Sequence, residues 1–176
     1  MKKLILSMSF VIGLISPAFS QDSGTAAGLE RWTGPWAGLN VNSWNQGSGT
    51  KGSEYGIDLG YNYGIGDSGL VIGLELNQSS SKTRNVANST NSSMSVSLVG
   101  GYAMSETIFG YVSVGRSTDH KGPTYAGTYK GTKTAIGLDY ALTSTVSIGA
   151  EYSSTNYKNS VLTTKKGFGL NLRVGF

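Results

Sequence analysis

Between residues 37 and 176, apolar side chains return at every second position in eight separate runs. The clearest run is Tyr55, Ile57, Leu59, Tyr61 and Tyr63, interleaved with Gly56, Asp58, Gly60, Asn62 and Gly64. The last run is nearly as regular: Phe168, Leu170, Leu172, Val174 and Phe176 alternate with Gly169, Asn171, Arg173 and Gly175. Ala37/Leu39/Val41 open the series, and Ile72/Leu74/Leu76, Met94/Val96/Leu98/Tyr102 and Ile108/Val112/Val114 follow the clearest run. Ile136/Leu138/Tyr140/Leu142 and Val146/Ile148/Ala150/Tyr152 precede the last. A period of two marks a strand with two chemically different faces. The connections alternate as well. Gly66-Asp67-Ser68-Gly69, Ser105-Glu106 and Thr143-Ser144 read as tight turns, whereas residues 45–52, 79–92, 118–130 and 155–164 read as longer loops rich in Ser, Thr, Asn and Gly. Short turns at one end and long loops at the other predict an all-β, eight-stranded, antiparallel up-and-down transmembrane barrel. An even strand number puts both termini at the short-turn end, the periplasmic end of such a barrel.

Alternation alone does not say which face is inside, since a soluble ligand-binding barrel also alternates. The composition of the polar face decides between them. It consists mainly of Gly, Ser and Asn, with few long charged side chains to solvate an exterior. Such residues suit the narrow, side-chain-filled lumen of an eight-stranded barrel. Tyr63, Tyr102 and Tyr140 lie near strand ends on the apolar face, where interfacial aromatic girdles sit.

The first twenty residues carry a different pattern. Lys2 and Lys3 precede an apolar stretch over residues 4–15, and Pro17 with Ala18-Phe19-Ser20 offers a small-residue cleavage site before Gln21. This is the layout of a secretory signal peptide, and the apolar stretch is shorter than the roughly 20 residues of a spanning helix. The expected organisation is therefore a signal peptide over 1–20 and one barrel domain over 21–176. With no cysteine in the chain, disulfides and thiolate metal sites are excluded.

Residues Trp32-Thr33-Gly34-Pro35-Trp36-Ala37-Gly38-Leu39-Asn40-Val41 resemble the opening of the small outer-membrane β-barrel family of alphaproteobacteria, which is opacity-protein-like and related to the OmpA-like transmembrane barrel. Gly137-Leu138-Asp139-Tyr140 and Ala150-Glu151-Tyr152 resemble its internal strands. Leu172-Arg173-Val174-Gly175-Phe176 resembles its terminal assembly signal with a C-terminal Phe. Pro35 stands where the family usually has an aromatic residue, and Asn42 where Gly is common. The resemblance implies a surface antigen or membrane-stabilising barrel, with hemin binding or adhesion in some branches.

Five charged residues fall on the inward phase: Asp58, Glu75, Asp139, Glu151 and Arg173. Charges in a low-dielectric lumen must be paired. Arg173 is expected to bridge two carboxylates with its forked guanidinium, Glu151 on the preceding strand being the nearest. Paired carboxylates also serve acid–base catalysis, but a plugged interior offers no route to substrate. His120, the only histidine, adjoins Asp119 and Ser117, so a hydrolytic triad is to be weighed. Barrel enzymes that edit lipid A have this architecture, but Gly122 occupies the place of the Ser in the deacylase's His-x-Ser pattern. The string Gly64-Ile65-Gly66-Asp67-Ser68-Gly69 needs a following helix to cradle phosphate, and a hairpin turn accounts for it. Asn77, Asn88 and Asn91 open Asn-x-Ser/Thr triplets of the kind that polar loops produce by chance.

Ten of the twelve basic residues in 21–176 map to the long loops or outer rim: Lys51, Lys82, Arg84, Arg116, Lys121, Lys130, Lys133, Lys158, Lys165 and Lys166. Only Glu54 and Asp119 oppose them there, which leaves an excess of eight positive charges. Loop solubility is one account; complementarity to anionic lipopolysaccharide is the other. Tyr125, Tyr129 and Tyr157 lie among these cations and would suit stacking on hemin. The expected protein is a monomeric, non-enzymatic outer-membrane surface barrel without cofactor or nucleic-acid partner. It stabilises the membrane and touches lipopolysaccharide, hemin or a host surface ligand through its loops. The competing readings are a small-solute pore and a lipid A-modifying enzyme. Because the last strand must close against the first, deletion of Phe176 is expected to lower membrane insertion while leaving export unchanged. Quantifying the heat-modifiable folded form in membrane fractions tests this.

Overall fold

The computed structural model describes residues 29–47, 49–84, 90–121, 127–158 and 163–176. The expected signal peptide, 1–20, lies outside them. A single 3-10 turn, Glu30–Trp32, leads into eight strands: β1 Gly34–Gln46, β2 Thr50–Ile65, β3 Leu70–Thr83, β4 Thr90–Ala103, β5 Ile108–Lys121, β6 Gly127–Ala141, β7 Val146–Tyr157 and β8 Lys165–Gly175. Each strand pairs antiparallel with its sequence neighbours, and β1 pairs with β8, so the sheet closes on itself. At the β2–β3 turn, Gly66 and Gly69 have φ of 53° and 76°, a left-handed backbone that glycine adopts without a steric cost.

The strands run further than the apolar alternation indicates. The expected loop 45–52 is a three-residue connection, 47–49, and the expected loop 79–92 is largely strand, with Ser81 paired to Asn91 and Lys82 to Thr90. Likewise β5 and β6 pair out to Lys121 and Gly127. Ladder hydrogen bonds are made by the backbone, whatever the side chain. Apolar alternation ends where the surroundings of the outer face become polar, and the ladder continues past that level.

Outside, a belt of exposed apolar residues encircles the barrel, including Leu39, Leu74, Leu98, Val114, Leu138 and Leu170. Inside, the polar face also holds Trp36, Trp44, Phe109 and Tyr111, all buried. The phase of the alternation assigns them there, yet their apolar character conceals it. The tight lumen accommodates them through glycine. Trp36 is in register with Gly60, Trp44 with Gly52, and Tyr111 with Gly137, and a Cβ on any of these glycines would overlap the facing ring. At the turn end, Leu29 and Trp32 of the leading segment enter the mouth and join Val71, Val99, Phe109, Tyr111 and Ala141 in a hydrophobic cluster. Trp32 stacks on Phe109 with ring centroids 5.2 Å apart, and Arg31 Nη1 donates to the Glu106 carbonyl at 2.9 Å. The segment before β1 thus closes one end of the lumen.

Overpacking of this kind typically costs about 1–3 kcal/mol. Gly60→Val and Gly137→Val are therefore expected to lower stability by that amount, read from urea unfolding in lipid vesicles. Gly100→Ala, where a Cβ meets nothing within 4 Å, is expected to be neutral.

Candidate functional site: a charged lumen and a basic outer rim

The lumen centres on Arg173 of β8. Its Nη1 lies 2.5 Å from Asp139 Oδ2 on β6, and its Nη2 lies 3.5 Å from Glu75 Oε2 on β3. Nη2 also donates to Tyr111 Oη on β5 at 3.0 Å. The guanidinium lies between two rings, 4.5 Å from Trp36 and 4.7 Å from Tyr111. A planar, weakly hydrated cation suits such a slot, where stacking and forked hydrogen bonds act together. Glu151, the expected partner of Arg173, is not its partner. In register Arg173 faces Ser147, whereas Glu151 faces Gly169, four residues further up β8. Glu151 instead takes Lys133, at 3.4 Å, and accepts a hydrogen bond from Tyr111 Oη at 3.0 Å.

Lys133 and Lys165 were expected on the outer rim, and both point into the lumen. Lys165 Nζ lies 2.5 Å from Glu54 Oε2, which leaves Lys165 and Glu54 mostly buried. The reason is strand phase: Lys133 shares its parity with Asp139 on β6, and Lys165 shares its parity with Arg173 on β8. The face was misread for both, and for Lys133 the height as well: it is in register with Gly115, next to Val114 of the apolar belt. Glu54 and Asp119, read as opposing the rim cations, are also inward. Glu54 accepts from Ser79 Oγ, and Asp119 accepts from Ser93 and Ser117 at 2.7 Å and from Tyr157 Oη. Asp58 is held by two amides, Asn40 Nδ2 at 2.7 Å and Asn77 Nδ2 at 2.6 Å. These neutral donors explain how six inward carboxylates coexist with three inward cations: Asp58 and Asp119 are satisfied by hydrogen bonds rather than ion pairs. Asn77 is thereby a lumen residue. Two small cavities lie among the described residues, about 40 Å³ at the turn-end mouth and about 20 Å³ beside Asp58, Glu75 and Glu151. A cavity of this size holds a few waters at most.

Facing outward and exposed at the loop end are Lys51, Lys82, Arg84, Arg116, Lys130, Lys158 and Lys166. Lys121 ends β5, and its side chain lies outside the described residues, as does Tyr125. Every carboxylate of the loop-end half of the described strands faces inward, so the outer surface there is cationic throughout the described residues. The triad around His120 does not form, because Ser117 and Asp119 face the lumen while His120 faces outward beside Thr128 Oγ1, at 3.0 Å. Tyr157 is buried against Asp119, and Tyr129 is half-buried, so neither presents an open ring to a flat ligand.

The closed eight-stranded sheet with an apolar exterior agrees with the comparisons to known proteins. The family model for the outer membrane protein beta-barrel domain matches residues 9–176. The chain belongs to that family. Among the described residues of this outer-membrane barrel no helix is long and apolar enough to cross a membrane; its strands cross. Solved structures similar to it include Neisserial surface protein A, at 16% identity over 82% of this chain and 98% of that one, with a TM-score of 0.64. The N-terminal β-barrel domain of Pseudomonas aeruginosa OprF follows at 14% identity, covering 80% and 98%, with a TM-score of 0.55. Ail, the attachment invasion locus protein of Yersinia pestis, matches at 12% identity, 80% and 97% coverage and a TM-score of 0.55. Ail has also been solved in complex with the heparin analogue sucrose octasulfate. At these identities the likeness is one of fold. No curated protein matches the chain in sequence.

Removing one partner from a buried ion pair typically costs about 3–5 kcal/mol, because the other charge is left uncompensated. Arg173→Ala is therefore expected to destabilise the barrel by about that much. Lys166→Ala on the outer face should change stability by less than about 0.5 kcal/mol. Equal denaturation midpoints for the two variants would contradict the lumen network.

Proposed function

We propose that this outer-membrane barrel is a non-enzymatic, monomeric surface protein that stabilises its membrane by binding the phosphates of lipopolysaccharide in the surrounding leaflet. Removal of residues 1–20 accompanies export, and the turn end with both termini faces the periplasm. The observation that carries the reading is the segregation of charge at the loop end. Seven cations face outward, and the carboxylates of the same level, Glu54 and Asp119, are turned into the lumen and bonded there.

Height above the apolar belt selects the residues. A tilted strand rises about 2.6 Å per residue along the membrane normal. Arg116 stands two residues beyond Val114 and Lys166 two beyond Phe168, the last outward apolar residues of β5 and β8. They therefore sit at the upper margin of the belt, Arg116 in register with Val96 of β4, at the border with the headgroup layer. Cations at that level meet phosphates anchored to the lipid. The pore reading has less support, since Arg173 with its stacked rings and Trp32 at the turn end fill the lumen. The hemin reading loses Tyr157 to its bond with Asp119. A polyanion on this architecture has a precedent in the complex of Ail with sucrose octasulfate.

Each cation near an anionic surface contributes about 1 kcal/mol, so Arg116→Gln with Lys166→Gln should weaken binding to lipopolysaccharide by roughly 30-fold. Wild-type affinity should fall steeply with salt, because exposed charges are screened. Titration of lipopolysaccharide into the protein in neutral-lipid discs measures both. Lys158→Gln, an exposed cation beyond the end of β7, should weaken binding less than either member of the pair. Unchanged affinity in the outer pair would defeat the proposal.

A further inference from the structure

Above the apolar belt, the first outward polar residue of each strand differs from sector to sector. On β1, β2, β3 and β4 it is Ser43, Ser53, Gln78 and Ser92, all neutral. On β5, β6, β7 and β8 it is Arg116, Thr134, Ser154 and Lys166. The charged members of this ring therefore share one sector, with two hydroxyl residues between them. Register keeps the four together. Thr134 pairs with Val114, the outward neighbour of Arg116, and Ser154 pairs with both Thr134 and Lys166. Arg116 pairs with Thr132, which pairs with Asn156, so a second polar row lies directly above the hydroxyls. No carboxylate faces outward among the described residues of β5 to β8. Thr134 Oγ1 donates to the Ser154 carbonyl at 3.4 Å, and its lone pairs remain for an outside donor.

The spacing decides what fits. Arg116 and Lys166 are three ladder steps apart, roughly 14 Å at about 4.8 Å per step. Side chains on the convex outside of a closed barrel splay apart, so the pair suits two anions better than one. Between the anions must lie a group rich in hydroxyls and amides, which Thr132, Thr134, Ser154 and Asn156 complement by hydrogen bonding. A disaccharide with a phosphate at each end, the headgroup of the lipid anchor of lipopolysaccharide, has this layout. The exposed apolar residues below, Val114, Ile136, Tyr152 and Phe168, receive its acyl chains. A glycerophospholipid such as phosphatidylglycerol offers one phosphate and meets one end only. We propose that the β5–β8 sector seats one lipopolysaccharide molecule, with one phosphate on Arg116, the other on Lys166, and the sugar rings over Thr134 and Ser154. This rests on the reading of Arg116 and Lys166 as lipopolysaccharide contacts, and adds to it a single seat that requires both phosphates.

The test titrates the mature protein in neutral-lipid discs with three lipids: the two-phosphate lipid anchor of lipopolysaccharide, the same anchor with one phosphate removed, and phosphatidylglycerol. Wild type is expected to bind the two-phosphate anchor about fivefold more tightly than either of the others, the worth of one cation at an anionic surface. In Arg116→Gln or Lys166→Gln alone, affinity for the two-phosphate anchor should fall about fivefold, and its preference over the one-phosphate anchor to less than about twofold. Thr134→Val with Ser154→Ala should weaken both anchors about threefold and keep the preference. All substitutions lie on the outward face, and heat modifiability verifies that the variants fold. Equal wild-type affinity for the two anchors, or a preference that survives in both single variants, overturns the two-phosphate seat. Equal affinity for phosphatidylglycerol does the same, since one phosphate then suffices, and unchanged affinity in the hydroxyl variant overturns the placement of the sugars. If the pair Arg116→Gln, Lys166→Gln weakens both anchors alike, the seat fails while the general lipopolysaccharide contact stands. If the pair changes neither, both fail.

Discussion

Closure of the ladder between β1 and β8 is the constraint on which the molecule depends. A membrane interior offers no water to an unpaired N–H or C=O, so a sheet that crosses it must have no edge. Eleven register pairs run from Trp36 with Gly175 to Gln46 with Lys165 and remove both edges at once. Once the sheet is closed, the alternation of side chains has only two destinations, lipid and lumen. The apolar belt, the buried charges and the plugged mouth are consequences of that division.

The lumen of a barrel this small is a packing problem as much as an electrostatic one. Rings enter it only where a facing glycine leaves space, as Trp36 does over Gly60 and Tyr111 over Gly137. Those rings then form the slot that holds the Arg173 guanidinium, which reaches from β8 to Asp139 on β6 and Glu75 on β3. One side chain therefore ties strands on opposite sides of the barrel. The asparagines and serines around Asp58 and Asp119 serve the same end by neutral means, since a buried carboxylate is tolerated when its oxygens are hydrogen-bonded.

The inward turn of Glu54 and Asp119 links the interior to the surface. By binding Lys165, Ser79, Ser93, Ser117 and Tyr157, these acids are withheld from the outer face, and the exposed cations keep their charge unopposed.

Period-two alternation in the sequence was sufficient for the strand number, the closed antiparallel architecture and the inward phase of Asp58, Glu75, Asp139, Glu151 and Arg173. Alternation is a property of each strand alone, so it can be read without knowing what lies across the barrel. Parity also held the information that Lys133 and Lys165 are inward, but the polar character of their neighbours hid it, because residues beyond the apolar belt no longer contrast between faces. The partners of Arg173 were not legible at all. Whether it meets Glu151 or Asp139 depends on the stagger between strands and on the path across the lumen, and both exist only when the barrel is closed. The entry of Leu29 and Trp32 into the turn-end mouth was likewise decided by tertiary structure, since only the closed barrel creates the apolar socket of Val71, Val99 and Phe109 that receives them.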